Sequence, residues 1–433
     1  MQARSPTQVR PDMDGLARTL TDDPRTVGTI HLPGRAGRVG AWPQWLDPQV
    51  RDAYVRRGIE VPWRHQEVAA EHAWAGRHVA IATGTASGKT AAFGMPALTA
   101  ALLPVDGAGR RGPSVLYLSP TKALAHDQLA GLGALGIPGL RAAAIDGDTP
   151  DEQRHWARAH ARWLVTNPDM LHRTLLPGHD RWRGFLRNLR FVVVDEAHVY
   201  RGVFGSHVAL VLRRLRRVAA LHGATPTFIA ASATVADAAG TAGRLLGVEV
   251  AVVEHDDSAR GPVELLLRRP NPTDPPGGPA VPEHPDADLA EHDGDAAPGP
   301  RSALGESADL MVQLVDGGVR TLSFTRSRRG TEVLAGRVRE TARVGDQVRA
   351  YRGGYLPEER RALEADLRAG RLRGLAATSA LELGIDISGL DAVVLAGWPG
   401  TRASFWQQVG RAGRRGQQAL AVLVAREDPL DQY

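Results

Sequence analysis

His78-Val-Ala-Ile-Ala82-Thr-Gly-Thr-Ala-Ser-Gly-Lys89-Thr90 runs from an apolar stretch into a glycine-bearing loop, and residues 91–103 follow with helix-forming composition. A strand, a tight loop and a helix N-terminus in that order turn backbone N–H groups and the helix dipole toward an anion. Lys89 is one of only two lysines among 53 basic residues, the other being Lys122. A compact ammonium on a flexible stem reaches between two phosphates where a planar guanidinium fits poorly. The loop therefore reads as a phosphate cradle for a nucleoside triphosphate: residues 83–90 (Thr83, Gly84, Thr85, Ala86, Ser87, Gly88, Lys89 and Thr90) surround the phosphates, Lys89 meets the β and γ groups, and Thr90 binds Mg²⁺. The general pattern asks for glycine where Thr83 stands, with Gly84 one place on.

Downstream, the apolar run 191–194 ends on Asp195-Glu196-Ala-His198, and Thr227–Ala231 ends on Ser232-Ala-Thr234. Acids at the carboxyl edge of a parallel sheet stand beside the phosphate loop. Asp195 is suited to Mg²⁺, and Glu196 to orienting and deprotonating water. Any Asp-Glu after a strand can instead cap the next helix, but the ordered set of three strand ends favours the nucleotide reading. Short apolar strands alternating with helical stretches predict parallel sheets covered on both faces. Residues 270–300 break the rhythm with nine prolines, four glycines and seven acidic residues and no lysine or arginine. Such a stretch cannot bury a core and is expected to be a flexible acidic linker. Four regions are expected: a lead-in over 1–48, an α/β domain over 49–269, the linker over 270–302 and a second α/β domain over 303–433.

Composition bounds the rest. The net charge is only +5, although the pI is near 9.9. This permits nucleic-acid binding in a local cleft without requiring it. No cysteine is present, which excludes disulfides, thiol nucleophiles and cysteine-ligated zinc. No apolar run approaches the ~18 residues of a membrane span, so a cytoplasmic protein with no membrane contact is expected. The fifteen histidines show no metal-ligand spacing.

Taken in order, these segments resemble a superfamily 2 helicase of the DEAD/DEAH-box type. Gln66 matches the adenine-reading glutamine, 83–90 motif I, 120–125 motif Ia, 166–171 motif Ib, 195–198 motif II and 232–234 motif III. Residues 323–326, 378–386 and 407–414 match motifs IV, V and VI. The segment 200–209, Asp146-Gly-Asp-Thr149 and 426–433 are similar to the bacterial DNA-repair helicases of the mitomycin repair factor A type. The resemblance implies two tandem RecA-like parallel-sheet domains, a P-loop NTPase helicase core, with Mg²⁺ and ATP as cofactors. It implies 3′→5′ translocation on DNA by a monomer. It also implies a following four-cysteine domain, which a cysteine-free chain ending after motif VI is expected to lack.

Residue by residue, the resemblance implies catalytic roles for Gln407, Arg411 and Arg414, nucleotide contact by Gly384 and Asp386, and coupling through His198, Ser232 and Thr234. Arg411 and Arg414 lie three apart, so on a helix both face one γ-phosphate; a basic surface turn is the alternative. Pro120, Thr121, Lys122, Thr166, Asn167, Arg326, Arg352 and Thr378 fall in segments resembling backbone-contacting motifs. That set implies sequence-independent, salt-sensitive DNA binding; for each alone an ordinary cap or solvated charge is the alternative. An RNA helicase of the same fold and a non-catalytic ATP-switched scaffold are the rival functions.

Overall fold

The structure is a computed structural model and describes residues 12–104, 112–234, 236–270, 302–352, 355–378, 390–413, 417–426 and 431. It divides into two compact units. One is Gly37–Ser258, continuous in the chain and here called the inner unit. The other combines Met1–Ala36 with Ala259–Tyr433 and is called the outer unit.

Fourteen strands run through the described residues, the first being β1 (Thr26–Leu32). The inner unit holds β2 (Val79–Ile81), β3 (Ser114–Leu118), β4 (Ala142–Ala144), β5 (Trp163–Thr166), β6 (Leu189–Val194), β7 (Thr227–Ala231) and β8 (Ala251–Val253). Their spatial order is β4-β5-β3-β6-β7-β2-β8, and every pairing is parallel. Alternate residues go to opposite faces. Ile81, Tyr117, Val193 and Ile229 enter one core cluster, while Ala80, Leu116, Val192 and Phe228 enter the other. Both faces are buried, which is why these strands read as unbroken apolar runs and not as alternating ones. The helix Lys89–Leu102 packs in the first cluster together with Ala69, Ala70 and Ala73 of the helix Arg64–Trp74.

The outer unit holds β1 together with β9 (Val263–Arg268), β10 (Thr321–Phe324), β11 (Val348–Tyr351), β12 (Gly374–Ala377), β13 (Ala392–Ala396) and β14 (Ala419–Val424). The order is β1-β9-β14-β13-β10-β12-β11, with β1 antiparallel to β9 and the other pairings parallel. Two α/β units, one with a parallel sheet and one with a sheet that is parallel apart from the edge strand β1, agree with the fold class expected from the sequence.

The domain boundaries do not agree. Residues 26–32 are a strand of the outer unit's sheet, not part of a detached lead-in, and the helix Met13–Thr21 places Ala17 and Leu20 in a core cluster with Leu266, Val394 and Leu420. β9, expected at the end of the first domain, pairs with β14 and belongs to the outer unit. Ion pairs seal this corner. Arg268 Nε donates to Glu306 at 2.6 Å and Arg268 also meets Asp23 at 2.9 Å, with Arg268 1% and Glu306 0% exposed. Such pairings join residues far apart in sequence, and no local pattern encodes them. Residues 271–301 of the expected linker lie outside the described residues.

Candidate nucleotide site

β2 ends on Ile81, and the chain turns through residues 82–88 into the helix Lys89–Leu102, whose N-cap is Gly88 at φ 77°. The Thr83 and Ser87 hydroxyls are 2.7 Å apart and strap the loop across its base. Lys89 Nζ donates to the carbonyls of Thr83 and Gly84 at 3.1 and 2.8 Å. Gln66 is 3% exposed. Its Oε1 accepts from Trp63 N–H at 2.8 Å, and its Nε2 donates to the Ser87 and Gly88 carbonyls at 3.2 and 3.0 Å. A Cβ on Gly88 would stand 2.4 Å from Gln66 Nε2, so glycine there serves close approach as well as its left-handed turn. Gln66 is thus a brace for the loop in this structure, and its amide is not a free recognition edge.

β7 lies between β2 and β6, so all three strands deliver their C-terminal ends to one edge of the sheet. Asp195, just past β6, is 8% exposed; its Oδ2 accepts from the Tyr117 hydroxyl and its Oδ1 from Glu196 N–H at 2.9 Å. Burial raises the Asp195 carboxyl above the ordinary carboxylate range, and the neighbouring Glu196 charge adds to this. Burial pulls the Lys89 ammonium down, while Glu196, Asp195 and Asp256 pull it back up. His198 Nδ1 accepts from Ala233 N–H at 3.2 Å and stands 3.4 Å from Glu196 Oε2. Ser232 N–H donates to the Ile81 carbonyl at 2.9 Å, and Ser232 Oγ donates to the Ala233 carbonyl at 2.8 Å. The expected trio of His198, Ser232 and Thr234 is therefore brought to the ends of β6, β7 and β2, with Thr234 exposed.

Among the described residues only Ala86 (φ 61°) and Glu196 (φ 46°) have positive φ without being glycine. One sits in the phosphate loop and the other is the proposed base. Backbone held in a sparsely populated region concentrates at functional sites.

Three residues that sequence reasoning passed over join this site. Tyr117 lies inside the apolar strand β3, and its hydroxyl holds Asp195. His65 binds the Ser87 carbonyl, and Asp256 stands beside Gly84. Only adjacency to Gln66 could have flagged His65.

The nucleic-acid candidates divide. Thr121 caps the helix Lys122–Ala134 by accepting from Leu124 N–H at 3.2 Å, and Asn167 accepts from Met170 N–H at 2.9 Å. Lys122 pairs with Asp148 at 2.7 Å, exposed, beside the half-buried Pro120. Thr166 corrects the expectation: its side chain is 1% exposed and donates to the Ile145 carbonyl at 2.7 Å, so it serves the sheet. In the outer unit Arg326 is exposed, Arg352 pairs with Glu332 at 2.9 Å and Thr378 is half-buried.

Arg411 also departs from its expectation. The helix Arg402–Val409 ends before it, and Arg411 N–H donates to Gln408 in a turn at 3.1 Å. No helical face carries Arg411, because Gly410 caps that helix and Ala412 bridges to Leu390. Arg411 and Gln407 are 7% and 3% exposed. Arg414, Gly384 and Asp386 lie outside the described residues. The fold also gathers His179, Asp180 and His222, a grouping that spacing along the chain does not reveal. The two rings approach to 3.1 Å as mutual hydrogen-bond partners, which accounts for the cluster.

No helix among the described residues is long and apolar enough to cross a membrane. The family model for the DEAD/DEAH box helicases matches residues 63–241, and that for the helicase conserved C-terminal domain matches 306–416. The chain is 35% identical over 440 residues to the uncharacterized ATP-dependent helicase YprA of Bacillus subtilis, covering 100% of this chain and 54% of that protein. It is 37% identical to the ATP-dependent helicase hrq1 of Schizosaccharomyces pombe over 93% of this chain and 37% of that one. Among solved structures, the DUF1998 helicase MrfA bound to DNA and AMPPNP matches with a TM-score of 0.85 and 35% identity, over 97% of this chain and 56% of that one. The DEAD-box helicase Mss116 bound to ssRNA and UDP-BeF matches with a TM-score of 0.68 at 15% identity, over 89% of this chain and 74% of that one, and shares the fold. The chain spans about half the length of YprA and MrfA.

Proposed function

This chain belongs to the DEAD/DEAH box helicases, and from that premise we propose that it is the motor of an ATP-dependent DNA helicase, a nucleic-acid-stimulated ATPase. The observation that carries the reading is the convergence at one sheet edge of a strapped phosphate loop with Lys89 and an acid pair at Asp195 and Glu196, each loop holding one non-glycine residue in the left-handed region.

In this reading Lys89 leaves the loop carbonyls for the β and γ phosphates, and Gln66 keeps the loop in shape while adenine binds nearby. The Thr90 hydroxyl and the Asp195 carboxylate are hard oxygen donors of the kind Mg²⁺ takes, and they would hold it. When bound, that ion neutralises phosphate charge during transfer. Glu196 takes the proton from the attacking water, and its strained backbone fixes the carboxylate's direction. His198 accepts from Ala233 N–H and so seats the 232–234 segment beside Glu196. Arg411 and Arg414 of the outer unit supply positive charge to the transferring phosphoryl group, Gln407 supports that turn, and Gly384 and Asp386 complete the nucleotide contacts.

DNA is the proposed strand because MrfA is described bound to DNA and shares this architecture at 35% identity. The exposure of Thr121, Lys122 and Arg326 supports backbone contact by these residues in this reading. Movement in the 3′→5′ direction, a role in repair, action as a monomer and a cytoplasmic location belong to the same proposal. The test is ATP hydrolysis measured in parallel without nucleic acid and with single-stranded DNA, duplex DNA and single-stranded RNA. Stimulation by DNA is expected. Stimulation by RNA alone would assign the chain to RNA, and hydrolysis indifferent to all three would remove the motor reading.

A further inference from the structure

His65 precedes Gln66 in the helix Arg64–Trp74 and is 1% exposed, with both ring nitrogens engaged. Asp257 N–H lies 3.1 Å from Nδ1, and the Ser87 carbonyl lies 3.0 Å from Nε2. A backbone N–H only donates and a carbonyl only accepts, so these partners fix the ring as the neutral tautomer with its proton on Nε2. One imidazole therefore ties the phosphate loop to the turn 256–258.

That turn also directs charge at the loop. Asp256 Oδ1 accepts from Ser258 N–H at 3.0 Å and from Ser258 Oγ at 2.6 Å, which orients the carboxylate. Its Oδ2 stands 3.0 Å from where a Cβ on Gly84 would lie. The turn is the last of the inner unit, because the chain passes to the outer unit between Ser258 and Ala259. The earlier passage, between Ala36 and Gly37, is tied to the same turn: Arg38 N–H donates to the Asp257 carbonyl at 2.8 Å. Asp257 thus has its N–H on His65 and its carbonyl on Arg38.

We propose that His65 is a positioning residue coupling the phosphate loop to the 256–258 turn, so that the loop's state reaches both places where the chain passes between its units. The inference rests on the proposed function, since it concerns how nucleic-acid stimulation of ATP hydrolysis depends on the loop. A buried histidine that only fills space and satisfies its own polar atoms is the competing account.

Two variants of the full chain split the bridge. In His65→Asn the side-chain oxygen takes the place of Nδ1 and keeps Asp257, but does not reach Ser87. In His65→Gln the side-chain nitrogen takes the place of Nε2 and keeps Ser87, but releases Asp257. Melting temperature, KM for ATP, and kcat with and without single-stranded DNA are measured for both and for His65→Ala. Both half-bridges are expected to melt above His65→Ala, because each keeps one of the two hydrogen bonds, while DNA stimulation of kcat falls about tenfold or more in each, the scale of effect that small misplacements produce. Wild-type stimulation in either half-bridge overturns the proposal, as does a loss of stimulation that simply follows melting temperature across the three variants. If the His65 variants fail to fold, Asp256→Asn removes the charge with little change of shape; reduced stimulation supports the coupling and unchanged stimulation overturns it. A wild-type chain that hydrolyses no ATP overturns the proposed function and this inference together, whereas an active wild type with unaffected variants overturns the inference alone.

Discussion

At the scale of single residues, the two strained positions give the sharpest expectations. Glu196→Gln keeps the shape of the side chain but cannot take a proton from water. It should retain ATP binding and lose turnover by about a hundredfold or more, read as steady-state hydrolysis beside the Kd of a fluorescent nucleotide. Wild-type turnover in that variant would remove Glu196 from the role of base. Ala86 sits at φ 61°, a conformation in which a β-branched residue is a genuine outlier. Ala86→Val should cost about 1–3 kcal/mol in thermal unfolding, whereas Ala86→Gly should melt no lower than the wild type. Equal melting of the valine variant would mean that the loop relaxes freely and holds no strain.

At the scale of elements, the corner formed by β1, β9 and the helix Ala303–Asp316 is held by charge as much as by packing. Glu306 is 0% exposed and relies on Arg268 Nε at 2.6 Å, with Arg25 farther off at 3.3 Å. Replacing Arg268 by Met leaves a buried carboxylate short of its main partner and should destabilise the outer unit by about 3 kcal/mol or more. The double change Arg268→Met with Glu306→Gln should recover a large part of this, because it removes the charge along with its partner. Urea unfolding of the two variants decides the matter, and a double variant no better than the single one would show that the charge is not the cause. Asp23, beside Arg25 and Arg268, is held well below the usual carboxylate range, chiefly by its hydrogen bond to Arg25. Its stabilising contribution is present above the ordinary value of 3.8 and is lost as pH falls through the depressed one.

Across the whole molecule the two units should respond differently to mild acid. His65 is shifted down by burial, against the opposing pull of Asp256 and Asp257 and with the help of Lys89. His78 and His222 are also shifted down by burial, beside Arg216 and beside His179 and Arg183 respectively. A histidine whose folded pKa is depressed contributes stability above its ordinary 6.5 and loses it as pH falls from there toward the folded value. All three lie in the inner unit, as do seven of the nine tryptophans (42, 45, 63, 74, 156, 163 and 182). The urea midpoint read by tryptophan emission should therefore drop between about pH 7 and 5. A midpoint constant across that range would contradict the prediction. Arg411 tests cooperation between the units: Arg411→Ala should lose DNA-stimulated hydrolysis while nucleotide affinity survives, because the phosphate loop lies entirely in the inner unit.

The sequence alone determined the strands that matter and the chemistry at their ends. Thr227–Ala231 is a strand with the bounds that its apolar run announces. A buried parallel strand is local information, because both faces demand apolar residues. The phosphate loop and Asp195-Glu196 were legible for a similar reason: close approach to phosphate and metal dictates residue types at fixed spacing. Only the tertiary structure decided where the units begin and end. β1 shows mixed burial along its length and carries no signal of its distant partner, and β9 is apolar enough to sit in either sheet. Nor could spacing show that Arg411 stands in a turn past its helix, or that Thr166 is turned inward. His65, Tyr117 and Asp256 escaped for one physical cause. Each acts through a hydrogen bond or a charge reaching across the fold, and such partners are chosen by strand order and packing, not by neighbours in the chain.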